Sequence, residues 1–217
     1  MLVHPWDAPL HDEEWTSWLR DHDFGQLIAP GRGREFPIVT PSHFTFDGER
    51  TVWLHLARPN PALTALEEYP RALLTVVGDY VYIPSAWNAN PGKPVAYGVP
   101  TSYYATVQLE CDVRLVDVGE DTATVLRRQL AHFEPGSGRV PVSAMDDPDR
   151  RMLPGIRGAE LTVTAVRAKF KYGGNKQPEH REGIAELLAA RGGALDAQAR
   201  EHLLRRDREQ REAQAMG

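Results

Sequence analysis

Disulfides, membrane spans and surplus positive charge are all missing from this sequence. A single cysteine, Cys111, stands among 217 residues, which excludes an intrachain disulfide and suits a reducing compartment. No apolar run approaches the ~20 residues that a membrane-spanning helix needs. The opening residues, MLVHPWDAPLHDEE, are acidic where a secretory leader is basic, so a soluble cytoplasmic protein is expected. Lysine and arginine total 25 against 30 acidic residues, a net charge of −5 that supplies no global field for attracting nucleic acid. HExxH, CxxC and GxSxG are absent, which removes the usual zinc spacings and the hydrolase nucleophile elbow. GxGxxG is absent too, and GRGRE at 31–35 lacks the lysine and following helix of a phosphate loop.

What is present is organised around Thr51 to Glu68, TVWLHLARPNPALTALEE. The stretch starts as a strand, passes His55, Ala57, Arg58 and Asn60, and enters a helix at Pro61. Asn60 suits the cap position and Pro61 the first turn, where a missing N–H costs nothing. Backbone donors at the helix start, with the Arg58 guanidinium beside them, outline an anion site. Two readings stay open here: a phosphate contact, or a solvated strand-end arginine next to an ordinary cap.

Upstream, Asp12 to Asp23 reads as a helix with Trp15, Trp18 and Leu19 on one face, and Gly25 to Ala29 as a short strand. Phe36 to Phe46 is extended, broken by Pro37 and Pro41, and turns at Asp47-Gly48 so that Ser42 and His43 face the His55 region. Arg71 to Ile83 reads as two strands about Gly78-Asp79. Residues 84–100, rich in Pro, Gly and Asn, read as a long loop in which Trp87 is either a lid or an apolar anchor.

The alternation of Val107, Leu109, Cys111, Val113 and Leu115 with polar residues marks an antiparallel strand with one wet face. A helix over Asp121 to Phe133 should turn Val125, Leu126, Leu130 and Phe133 inward. Glu160 to Lys171 reads as the last strand, bulged near Thr164 and Ala165, with the Lys169 and Lys171 amines leaving one face. Such a pair repels unless an anion lies between the amines or water screens them. Helices follow at Pro178 to Arg191 and Asp196 to Ala215, the second either solvated or covering a dimer face. Hairpin order predicts a mainly β, α+β fold: an antiparallel barrel over 1–176 with peripheral helices, and a helical extension over 177–217.

The runs HLARPNP at 55–61, YIPSAW at 82–87, VPT at 99–101 and MLPGIRGAELTVTAVRAKFK at 152–171, continuing to Asn175, resemble the PaiB-like FMN-binding transcriptional regulators. The resemblance extends over nearly all of residues 1–190. It implies an FMN-binding split barrel that works as a homodimer. It also implies a phosphate held near Arg58 and Asn60, with Lys169, Lys171 and Asn175 as further contacts and Ser42, His43, His55, Ala57 and Thr101 lining the flavin or its ribityl chain. Two departures stand out: VPTSYY at 99–104 where the family reads VPTWNY, and KFKYGGN at 169–175 where it reads KFKLSQN.

Three functions follow as expectations. One is an FMN-dependent negative regulator of transcription, although nothing reads as a helix-turn-helix. Another is a flavin-dependent oxidoreductase like the pyridoxamine-phosphate oxidases, with Trp87, Tyr103 and Tyr104 on the substrate side and the chemistry supplied by the cofactor. The third is a split barrel that has lost its flavin and keeps only dimer or ligand binding.

Overall fold

A computed structural model describes residues 1–90, 92–117 and 119–215, with side chains to residue 208. Seven strands and six α-helices are formed by this chain among the described residues: α1 (Asp12–Arg20), β1 (Phe24–Ala29), β2 (Ile38–His43), β3 (Thr45–Phe46), β4 (Thr51–Ala57), α2 (Pro61–Glu68), β5 (Arg71–Ile83), β6 (Thr101–Val116), α3 (Glu120–Phe133), α4 (Asp149–Met152), β7 (Ile156–Lys171), α5 (Pro178–Arg191) and α6 (Asp196–Ala215). The strands form one sheet in the order β2-β1-β5-β6-β7-β4-β3. The chain divides into two compact units, His11–Val76 with Val107–Arg167, and Met1–Leu10 with Val77–Thr106 and Ala168–Gly217.

The first unit is the barrel. Antiparallel pairing joins β1 to β2 and to β5, β3 to β4, and β4 to β7, the last in a register from Thr51↔Thr162 to Ala57↔Ile156. Its two edge strands, β2 and β3, are separated in the chain by Phe44 alone, so the ends of the sheet must meet and the sheet closes on itself. Phe44 is fully buried, and its amide donates to the Asp23 carbonyl at 2.8 Å. Pro41 lies in edge strand β2, where its missing donor is tolerated. Inward residues of β4, Val52, Leu54 and Leu56, are buried, each contributing about 1.5–3 kcal/mol of transfer free energy.

The second unit holds the residue 1–10 arm, the far ends of β5, β6 and β7, and helices α5 and α6. Pro178 opens α5, and Gly192 closes it in the left-handed conformation at φ 63°, its amide reaching the Leu188 carbonyl. Ile184, Leu188, Ala199 and Leu203 are buried. Arg181 pairs with Asp207 where both are buried, and Arg191 pairs with Asp196 at 2.5 Å.

Three expectations are corrected. The chain does not turn at Gly78-Asp79 but runs on as one strand, Arg71–Ile83, kinked at Asp79 with φ 52°. Long-range bonds hold that kink: the Tyr172 hydroxyl donates to the Asp79 carbonyl at 3.1 Å, and His202 Nε2 meets the Asp79 carboxylate at 2.8 Å. Phe133 is not inward but 40% exposed, its ring meeting His43 and His132 edge to face. Strand β7 starts at Ile156, four residues earlier than Glu160, because β4 pairs with it along its whole length. Thr164 and Ala165 are successive exposed residues, the phase slip expected there. Residues 84–100 hold only turns and one 3-10 turn, Val95–Tyr97, among the described residues; Pro91 lies outside them.

Candidate functional site

Strand periodicity places Lys169 and Lys171 on one face of β7, and their amines flank the Tyr104 ring at 5.8 and 5.9 Å from its centroid. Lys169 Nζ donates to the Leu2 carbonyl at 3.0 Å and lies 3.7 Å from the Asp7 carboxylate. Lys171 Nζ donates to Thr101 Oγ1 at 2.9 Å. Beyond the strand the backbone turns at Gly173, φ 67°, and brings up Asn175 and Lys176. Gly174 is required by the arm, since a Cβ there would lie 2.1 Å from the Trp6 carbonyl oxygen.

These groups enclose a cavity of about 420 Å³, lined by the lysines 169, 171 and 176 with Thr101 and Asn175, by the arm through His4, Trp6 and Asp7, and by Asn88, Tyr103 and Gly173. Asp7 is 3% exposed; burial raises its pKa above the ordinary carboxylate value, opposed by Lys169 and Lys171. Burial lowers the Lys171 pKa, reinforced by Lys169. Tyr103 is 2% exposed, and its hydroxyl is buried without a hydrogen-bond partner among the described residues. Burial pushes that phenol up to about 12, so it keeps its proton at neutral pH and can donate a hydrogen bond. A buried donor left unmatched costs about 1–3 kcal/mol.

The barrel unit holds the other expected residues. The Asn60 side chain caps α2, accepting from the Ala62 amide at 2.9 Å and from Thr40 Oγ1 at 3.4 Å. The Arg58 guanidinium donates through Nε to the Pro154 carbonyl at 2.9 Å and through Nη2 to that of Ile156 at 3.4 Å. His55 Nδ1 meets Gln129 Oε1 at 2.6 Å, and the His43 and His55 rings stand edge to face at 5.3 Å. Burial, then the neighbouring His55, lowers the His43 pKa. Ser42 is buried and donates to the His43 carbonyl at 2.9 Å, while Ala57 is exposed at the end of β4.

Four of the ten expected positions, Thr101, Lys169, Lys171 and Asn175, therefore line one cavity; the other six belong to the barrel unit. Sequence reasoning missed His4, Trp6, Asp7 and Asn88. An arm without periodicity carries no signal of where it docks. The one available clue was Asp7 itself, an acid able to relieve two lysines on one face.

A closed antiparallel barrel of this strand order is the FMN-binding split-barrel fold. Residues 3–165 match the family described as "Putative FMN-binding domain", and the chain belongs to that family, which is the PaiB-like one. Solved structures agree on the fold. A flavocytochrome from Azotobacter vinelandii is 22% identical, with 77% of this chain and 71% of that one covered and a TM-score of 0.58. An FAD and heme binding protein from Mycobacterium smegmatis is 17% identical, with 83% and 80% covered and a TM-score of 0.57. No curated protein matches the sequence. The donor set of the cavity fits the phosphate end of FMN: ammonium groups on one face and a phenol with an unused proton.

Proposed function

We propose that this protein binds FMN with the phosphate among Lys169, Lys171 and Lys176, and that it acts as a homodimeric, cytoplasmic flavoprotein of the PaiB regulator type. The observation that carries the reading is the cavity itself, whose lining brings together three lysines, one carboxylate and a phenol without a hydrogen-bond partner among the described residues. Thr101 and Asn175 serve as further phosphate or ribityl contacts. Arg58 and Asn60, with Ser42, His43, His55 and Ala57, lie in the barrel unit, where Arg58, Asn60 and His55 already hold partners within the fold, and are not counted among the contacts of this cavity.

Regulation in this reading works through the flavin rather than through direct reading of DNA. Net charge is −5, and Arg181 and Arg191 in α5 are ion-paired to Asp207 and Asp196. A second reading, flavin-dependent oxidation or reduction of a small molecule, is favoured by the aromatic side chains Trp6 and Tyr104 beside the lysines. FMN would supply the redox chemistry there, and the protein would orient and desolvate it.

The decisive experiment is an absorbance spectrum of freshly purified protein followed by titration with FMN and riboflavin. A flavin band, or FMN binding at least tenfold tighter than riboflavin, is expected from ~1.4 kcal/mol or more of phosphate contact. Absence of both overturns the assignment. Reduction of the bound flavin by NADH or NADPH would favour the oxidoreductase reading, and failure of a promoter fragment to bind at low salt, where backbone contacts are strongest, would exclude direct DNA contact.

A further inference from the structure

Two polar atoms at this cavity have opposite needs. Among the described residues the Tyr103 hydroxyl is a donor with nothing to donate to, held against Gly173 so closely that a Cβ on that glycine would lie 2.5 Å from it. Asn88 has the complementary gap. Its Nδ2 donates to the Val99 carbonyl at 2.5 Å, which fixes the orientation of the amide and leaves Oδ1 as a buried acceptor without a partner among the described residues. Both residues line the same 420 Å³ space as Lys171 and Lys176, a volume that suits one small ligand.

Inorganic phosphate would use the lysines and the phenol, but its remaining P–O–H sits on the phosphorus itself, with no carbon chain to carry a donor on to Asn88. A polyol such as free riboflavin would satisfy Asn88 but not the cations. We propose that the cavity selects a polyol phosphate, with a phosphate oxygen accepting from Tyr103 Oη and Lys171 while a hydroxyl on the adjoining carbon chain donates to Asn88 Oδ1. This rests on the FMN reading above and deepens it, because the ribityl phosphate of FMN has both features. It also assigns two ligand contacts, Tyr103 and Asn88, on strand β6 and on the 84–100 loop.

Removing the phenol oxygen tests the idea cleanly, since among the described residues that oxygen has no partner and Tyr103→Phe breaks no hydrogen bond. Calorimetric titration of the full chain with FMN, riboflavin, ribose 5-phosphate and inorganic phosphate would be compared for wild type, Tyr103→Phe and Asn88→Ala. Tyr103→Phe should weaken FMN and both phosphates by about tenfold, leave riboflavin within about twofold, and keep or raise the thermal midpoint of the unliganded protein. Asn88→Ala should weaken FMN, riboflavin and ribose 5-phosphate by about fivefold and leave inorganic phosphate unchanged.

Wild-type binding of FMN with no loss in Tyr103→Phe overturns this inference and leaves the FMN reading standing. Binding of ribose 5-phosphate but not FMN, with the expected variant pattern, overturns the FMN reading and leaves the inference standing. Binding of neither overturns both. Should Asn88→Ala fail to fold, the Tyr103→Phe comparison decides alone.

Discussion

Set side by side, the lysine cavity and the Arg58 corner contain similar residues in opposite conditions. At the corner the polar groups are already committed: Arg58 to two backbone carbonyls, Asn60 to the first turn of α2, His55 to Gln129. In the cavity the commitments are incomplete among the described residues, with Tyr103 and Asn88 each holding an unused hydrogen-bonding atom and the Lys176 amine meeting Asn90 Oδ1 at 3.4 Å. A cation whose donors are spent on the fold stabilises it locally, whereas one facing unspent neighbours leaves binding free energy for a guest. Residue type alone does not distinguish the two conditions.

The largest test of that contrast is Lys169→Met. It leaves the buried Asp7 carboxylate without its nearest cation, and a loss of about 3 kcal/mol is expected in urea unfolding. Combining it with Asp7→Asn should restore most of that stability. Next comes Lys171→Met, which should weaken FMN by roughly tenfold to a hundredfold, from about 1.5–3 kcal/mol for a charge-assisted bond, while sparing riboflavin. Flavin fluorescence titration reads both ligands, and equal weakening of the two would place the phosphate elsewhere.

Arg58→Met should cost about 1 kcal/mol of stability through the two lost carbonyl bonds, and should weaken FMN less than Lys171→Met does. The reverse order of affinities would break the comparison. The smallest effect is on pH. Asp7 binds its proton more tightly folded than unfolded, so its contribution favours folding below 3.8 and is lost as pH rises from there through the raised folded value. In Asp7→Asn that segment of the stability profile should vanish, and FMN should bind more tightly because the cavity loses its carboxylate.

Much of the frame was legible because it rests on local rules. Helix α5 and the Asn60 cap follow from proline and glycine punctuation and one side-chain acceptor. Lys169 and Lys171 share a face because strands alternate. What escaped depends on partners far along the chain. Gly78-Asp79 has the composition of a turn, yet Tyr172 and His202, more than ninety residues on, hold it within a continuous strand. Local preference loses there to tertiary contacts. The arm's place in the cavity was hidden for the same reason, since Leu2 and Asp7 find Lys169 across more than a hundred and sixty residues.

The lone sulfur atom carries a practical consequence. Cys111 lies at the centre of β6 in the barrel unit, fully buried, with burial pushing its thiol up to about 12. A thiol so placed is neither ionised nor reachable while the barrel is shut. Its rate of alkylation by an added reagent therefore counts barrel openings one by one, and a ligand that slows this chemical clock must be holding the strands together.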